Sequence, residues 1–416
     1  MAGVRRTVVL MLCGGLVAVL LGGCGGAGEG GGDGGGGGPR DATRAIADLL
    51  RQRSAAVRDG DEAAYLRTVD PHSGPYRQRQ RTVFRNLDAL PLAAWTLRLD
   101  DPARVTVPAT AERTTADVRL AYRLRGYDTG DATAGQRLEF VRRDSRWYVA
   151  GPAPGSRPQP WDQGPLTVVR GTHSLVLGAG RPEASLRGIA AVADRAVPEV
   201  SAAWGGTWAR RVVVLVPASQ AAMGELLGEG PTAYAGVAAV TTGRHRDRTP
   251  ADRVVVNPEA YDTLGTLGRR IVLTHETVHV ATRADTSPAT PLWLSEGFAD
   301  WVAFRGTGRD PREGAPELAR AVAAGRLPDS LPADADFARP TDGDGDRVAE
   351  AYGEAWLAAR MVADEWTPDD LVALYRAVGG AESREKAVGP ALRTELGVSL
   401  TEFTARWRTY LDHELG

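Results

Sequence analysis

Apolar positions along the chain change their period several times. Between residues 41 and 90 they recur at helical spacing: Ile46, Leu49, Leu50 and Val57, then Tyr65 and Leu66, then Val83, Phe84 and Leu87. Asp59-Gly60-Asp61 breaks the first run, and Asp61 is placed to cap the helix that follows. From Trp95 the period becomes two. Trp95, Leu97 and Leu99 alternate with Thr96 and Arg98, and Val118, Leu120, Tyr122 and Leu124 alternate with Arg119, Ala121 and Arg123. Leu138 and Phe140 face Trp147 and Val149 across Arg142-Arg143-Asp144-Ser145-Arg146, which predicts a hairpin.

Residues 151–165 alternate prolines with Gly151, Gly155 and Gly164, a composition that predicts a linker between two domains. A second domain starts near Leu166. Ala184–Val200 has helical spacing, and 211–216, 236–241 and 253–257 are short apolar runs that predict strands. Helices are predicted over Thr266–Thr282 and about Pro291–Phe304. From Arg347 onward the pattern is mostly helical, with Trp356, Trp366, Tyr375 and Trp407 as its core. The fold class expected is α+β: a small α+β domain over 41–150, then a larger domain over 166–416 with a mixed sheet and a helical C-terminal part.

The N-terminus sets the compartment. Arg5 and Arg6 precede an apolar stretch, Val8 to Leu21, that is too short and glycine-rich to span a membrane and reads as an export signal over 1–23. It ends in Leu21-Gly22-Gly23-Cys24, which resembles a bacterial lipobox. That resemblance implies lipidation of Cys24 and an exported protein anchored to the outer face of the cell membrane. Residues 24–40 form a Gly-rich tether after the cleavage point, nearly all glycine over 25–38, of roughly 20 Å root-mean-square span. Both cysteines of the chain, Cys13 and Cys24, lie in this leader, so neither a thiolate metal site nor a disulfide is expected in the folded part. Formal net charge is −2, with arginines interspersed among acids and Lys386 the sole lysine. No basic footprint for nucleic acid follows from that balance. The arginine bias resembles high-GC actinobacterial coding.

Candidate chemistry concentrates in one place. His275-Glu276-Thr277-Val278-His279 puts two imidazoles at i and i+4 on one helical face, where they can grip one metal ion, with Glu276 beside them. Glu296 follows in Trp293-Leu-Ser-Glu-Gly-Phe-Ala-Asp300. Two histidines and a glutamate make a catalytic Zn2+ site with a free fourth position. Asp300, one turn after Glu296, is placed to orient a ligand histidine.

These motifs resemble the gluzincin metallopeptidases, the thermolysin- and aminopeptidase-like group. The resemblance implies that His275, His279 and Glu296 hold zinc, that Glu276 is the general base, and that the partner is a peptide or protein substrate. Such enzymes add an oxyanion donor; Tyr352 is the candidate, with His245 behind it. Gly236–Val240 is the candidate edge strand for a substrate backbone. The His279–Glu296 spacing is shorter than in the best-known members, and no motif for capturing a free amine is evident, so endo- and exopeptidase readings both stand. Residues 41–150 resemble the cone-shaped nuclear-transport-factor-like folds, and their aromatics are read as core. Asp342-Gly-Asp-Gly-Asp346 lacks the pattern of a calcium loop and is read as solvated. The alternative function is a non-catalytic envelope lipoprotein that uses a peptidase-like domain for binding.

Overall fold

In the computed structural model, which describes residues 39–101, 107, 111–243, 251–338 and 345–416, three helices come first: α1 (Pro39–Arg58), α2 (Glu62–Arg67) and α3 (Gly74–Asp88). Asp61 caps α2 as its sequence predicts, its Oδ1 accepting the Ala64 N–H at 2.7 Å. The leader, the tether and Cys24 lie outside the described residues. No described helix is long and apolar enough to cross a membrane.

An antiparallel meander follows: β1 (Leu92–Leu99), β2 (Arg113–Leu124), β3 (Ala132–Arg143) and β4 (Arg146–Pro152), in that order. Trp95 pairs with Tyr122, Leu97 with Leu120 and Leu99 with Val118, so the period-two apolar positions share one buried face. The hairpin falls where expected. Its two central residues, Asp144 and Ser145, both have positive φ, the geometry that lets a two-residue turn match the twist of its strands.

Residues 151–165 are laid against this sheet rather than spanning a gap. Trp161, in the short turn Pro160–Asp162, packs edge-on against both Trp95 and Tyr122 at 5.2 Å. The Asn86 amide donates to the carbonyls of Trp161 and Gly164 and accepts the Leu166 N–H. Composition alone marks the segment as proline- and glycine-rich and is blind to one buried tryptophan.

The second sheet contains β5 (Leu166–Arg170), β6 (Ser174–Ala179), β7 (Val212–Val216), β8 (Ala239–Thr242) and β9 (Arg253–Val256), in the order β5-β6-β7-β9-β8. Pairing is parallel across β6-β7-β9 and antiparallel at both edges, the mixed sheet expected. Helix α4 (Glu183–Trp204) makes the crossover from β6 to β7 that a parallel pair requires. The β5–β6 hairpin is absent from the sequence reading, because every residue of β6 is buried and no alternation marks it. The predicted 236–241 strand begins later, at Ala239, since Gly236 (φ 78°) and Val237 close a turn.

Helices complete the chain: α5 (Gln220–Leu227), α6 (Pro258–Asp262), α7 (Thr266–Thr282), α8 (Leu292–Phe304), α9 (Pro311–Gly314), α10 (Pro316–Ala323), α11 (Gly345–Glu365), α12 (Pro368–Gly380), α13 (Val388–Ala391) and α14 (Leu400–Leu415). α7 has the bounds predicted. Trp356, Tyr375 and Trp407 are buried as expected, whereas Trp366 is half-buried, its indole N–H donating to the Leu396 carbonyl. The whole is α+β, with α7 and α8 in its interior.

Candidate metal centre

Helix α7 is buried on every side from Ile271 to His279, unlike an amphipathic surface helix. It packs against α4, α8 and strand β8. Its far end is fixed by Arg283, whose Nε donates to Asp252 Oδ1 at 2.9 Å with both side chains buried. A cation at a helix C-terminus also meets the negative end of the helix dipole.

α8 is buried from Trp293 to Ala303. It lies against α11 at unusually short range. A Cβ added to Gly297 would fall 2.2 Å from the Ala355 carbonyl oxygen, so only glycine permits this approach. Trp204 stands edge-on to both Phe298 and Tyr375, which are tilted to each other, with centroids 5.3–5.5 Å apart.

These two helices bring together the residues the motifs single out. His275 Nε2 lies 3.0 Å from His279 Nε2 and 3.2 Å from Glu296 Oε2, and His279 Nε2 lies 3.5 Å from the same oxygen. A tetrahedral zinc with bonds of about 2.0–2.2 Å holds neighbouring donor atoms about 3.3–3.5 Å apart. The observed triangle, with edges of 3.0, 3.2 and 3.5 Å, is slightly tighter than that and needs only a few tenths of an ångström of opening. Neither oxygen of Glu296 accepts a well-formed hydrogen bond, although the residue is wholly buried. A buried carboxylate without donors is costly unless a cation compensates it. The three donor atoms thus fit one metal ion.

Asp300 stands where its spacing predicts, with Oδ1 2.8 Å from His275 Nδ1. That contact fixes the ring so that Nε2 faces His279 and Glu296. Burial alone would lower the His275 pKa, but the Asp300 and Glu296 carboxylates outweigh it and hold the ring well above its usual value. Burial raises Asp300 above the ordinary carboxylate range despite His275. For Glu296 the opposite balance holds: burial would raise it, yet the two histidines draw it down to about 2.

Glu276 is also wholly buried. Thr241, on edge strand β8, donates its hydroxyl to Glu276 Oε2 at 2.6 Å, while Oε1 has no hydrogen-bond partner. The sequence reading does not find Thr241; its only signal is a hydroxyl at the end of an apolar strand. Tyr352 is buried on α11, its ring edge-on to Phe337 at 5.2 Å. It lies one turn before Ala355, whose backbone carbonyl meets α8 at Gly297. His245, and residues 342–344 of the acidic loop, lie outside the described residues.

No protein-family model matches the chain, and no curated protein matches it. Among solved structures it is similar to an M1 zinc metallopeptidase from Deinococcus radiodurans, at 18% identity and a TM-score of 0.34, over 77% of this chain and 70% of that one. A mutant of that Deinococcus peptidase bound to a Tyr-Ser-Ala substrate is similar at 15% identity and a TM-score of 0.34, over 77% and 70%. A two-domain M1 zinc metallopeptidase mutant bound to L-arginine is similar at 16% identity and a TM-score of 0.34, over 78% and 71%. Likenesses this loose assign no role to any residue here.

Proposed function

We propose that this chain is a zinc-dependent peptidase, exported and held at the outer face of the membrane through a lipid on Cys24. The observation that carries the reading is the wholly buried Glu296 carboxylate, whose Oε2 lies 3.2 and 3.5 Å from two histidine Nε2 atoms that converge on one point. His275, His279 and Glu296 would hold the metal. Zinc at such a site supplies a Lewis acid and brings the pKa of bound water to about 7.

The remaining steps belong to the protein. Glu276 takes a proton from the attacking water and delivers it to the leaving nitrogen. Thr241 holds Oε2, which leaves Oε1 to carry that proton. Asp300 keeps His275 in the tautomer that presents Nε2. Strand β8 ends the sheet order, so its outer edge is available among the described residues for an extended peptide backbone. Tyr352 stays the proposed oxyanion donor on the gluzincin resemblance, α11 being packed against α8.

The test is zinc stoichiometry beside peptide-library hydrolysis, with Glu276→Gln and His275→Ala. The expected result is one zinc per chain, lost in His275→Ala, and hydrolysis lost in Glu276→Gln with zinc retained. If neither protein takes up zinc after loading and dialysis, the reading falls. If zinc binds but no peptide is cleaved, the non-catalytic binding reading replaces it.

A further inference from the structure

The first sheet and its helices enclose a cavity of about 670 Å3, well within the range of small-molecule sites. The aromatics of this region, read from the sequence as core, form part of its wall: Tyr65, Tyr76, Trp95 and Trp161 are all buried lining residues. The exposed lining residues, among them Arg79, Arg157 and Gly228, mark the mouth. Arg157 and Gly228 meet there, so the segment after β4 and the loop after α5 close the rim together.

Arg53 distinguishes this cavity from a packing defect. It is 5% exposed, and its guanidinium lies over the Tyr65 ring, 3.9 Å from the centroid. It donates to Thr68 Oγ1, Tyr65 OH and Gln80 Oε1, all neutral acceptors. Three of its five N–H groups are thus engaged. No carboxylate among the described residues pairs with it. Asp162 also lines the cavity and its carboxyl feels the Arg53 charge, but no ion pair joins the two: its Oδ2 accepts the Gln159 N–H at 2.8 Å, and burial holds its pKa up at about 6. A buried cation with no carboxylate paired to it is destabilising unless an anion joins it. Trp95 adds a second unmet group, a buried indole N–H with no hydrogen-bond partner among the described residues. The wall is otherwise apolar, through Val83, Leu87, Leu97 and Leu138.

We propose that this cavity binds a small organic carboxylate with an apolar or aromatic body, its carboxylate against Arg53 and its body against Trp95, Trp161 and the aliphatic wall. The planar guanidinium matches a carboxylate in charge and geometry. A cationic ligand is disfavoured, because arginines already sit over the Tyr65 and Tyr76 rings.

The test is calorimetric titration of the full chain with octanoate, 4-phenylbutyrate and 2-naphthoate, each beside its primary amide. At least one acid should saturate at one per chain and bind at least tenfold tighter than its amide. Arg53→Gln should abolish that preference. Leu138→Trp, which fills the cavity and leaves the polar groups in place, should abolish binding while zinc uptake and circular dichroism stay unchanged. It serves as the second variant where Arg53→Gln fails to fold. No saturable binding by any acid at about 5 mM overturns the proposal. So does equal affinity for acid and amide, or unaltered binding to Leu138→Trp.

Discussion

Replacing Gly297 by alanine should weaken both the fold and the metal site, against the usual sign of that change. In an unconstrained helix, Gly→Ala stabilises by about 0.5–1 kcal/mol. Here the new Cβ would lie 2.2 Å from the Ala355 carbonyl oxygen and 2.7 Å from its carbon, whereas ordinary contact begins at 3.4 Å. Both neighbours are backbone atoms, so α8 and α11 must part by roughly 1 Å. Overpacking of this kind costs about 1–3 kcal/mol, which offsets the propensity gain and leaves a net loss of up to roughly 2.5 kcal/mol. Glu296 is the adjacent residue, and metal sites tolerate ligand displacements of about 0.2 Å. Zinc affinity should therefore fall by at least about tenfold. The assay is competition with a chromophoric chelator, together with thermal melts with and without zinc. Gly188→Ala is the control: Gly188 lies within α4 with open space around its Cβ, and its replacement should stabilise. If Gly297→Ala melts higher, like the control, and binds zinc as tightly as the parent, α11 does not set the position of Glu296.

Three further outcomes are expected. Asp300→Asn removes the charge that orients His275, and zinc affinity should drop by about 10–100-fold with little change in overall fold, as read by chelator competition and circular dichroism; an unchanged affinity would show that Asp300 has no part in the site. The metal-free protein holds a proton on His275 above the usual imidazole range, and zinc must displace it, so apparent zinc affinity should rise by up to about tenfold per pH unit between pH 6 and 8. By the same sign, the raised folded-state pKa gives the metal-free fold stability that is complete below the unfolded value of about 6.5 and is lost as pH rises through the folded value; flat zinc affinity over that range would count against it. Asp128→Ala should lower stability in denaturant melts by about 3–5 kcal/mol, because it strands Arg253, which donates to Asp128 at 2.7 and 2.9 Å with both side chains buried; a loss below about 1 kcal/mol would refute this.

The parts of this molecule that show in its sequence are those where one local period decides the structure. The meander from β1 to β4 is half-buried, so alternation exposes it, and the α7 bounds follow from a helical run that starts after Gly265. The metal triangle is legible because i, i+4 geometry fixes two of its corners and a short second helix supplies the third. What stays hidden depends on contacts between distant residues. Thr241 meets Glu276 across 35 positions, and Trp161 joins an aromatic cluster from a segment whose composition suggests a spacer. Gly297 sits in plain view inside the second motif, yet its reason is the backbone of α11. The cavity beside Arg53 is the extreme case. The same aromatics serve as core or as wall, and the open space beside a buried arginine that no carboxylate pairs is what separates the two readings.

Strand β9 gives the metal site its connection to the rest of the chain. Asp252, immediately before the strand, binds Arg283 at the end of α7, and Arg253, its first residue, binds Asp128 in the turn after β2. Consecutive residues therefore tie the metal helix on one side and the first sheet on the other. The second sheet also supplies Thr241 to Glu276 from β8, which pairs with β9 throughout its length. The ligand helices are thus held by α11, by Asp252 and by β8 independently of any metal. Such a scaffold orders the His–His–Glu triangle before zinc arrives, so the free energy of binding is not spent on folding α7 and α8. The metal instead relieves the unmet charge of Glu296 and adds stability in proportion to its occupancy. Loss of zinc should then leave a folded protein with an open triangle, in contrast to small zinc domains that unfold without their ion.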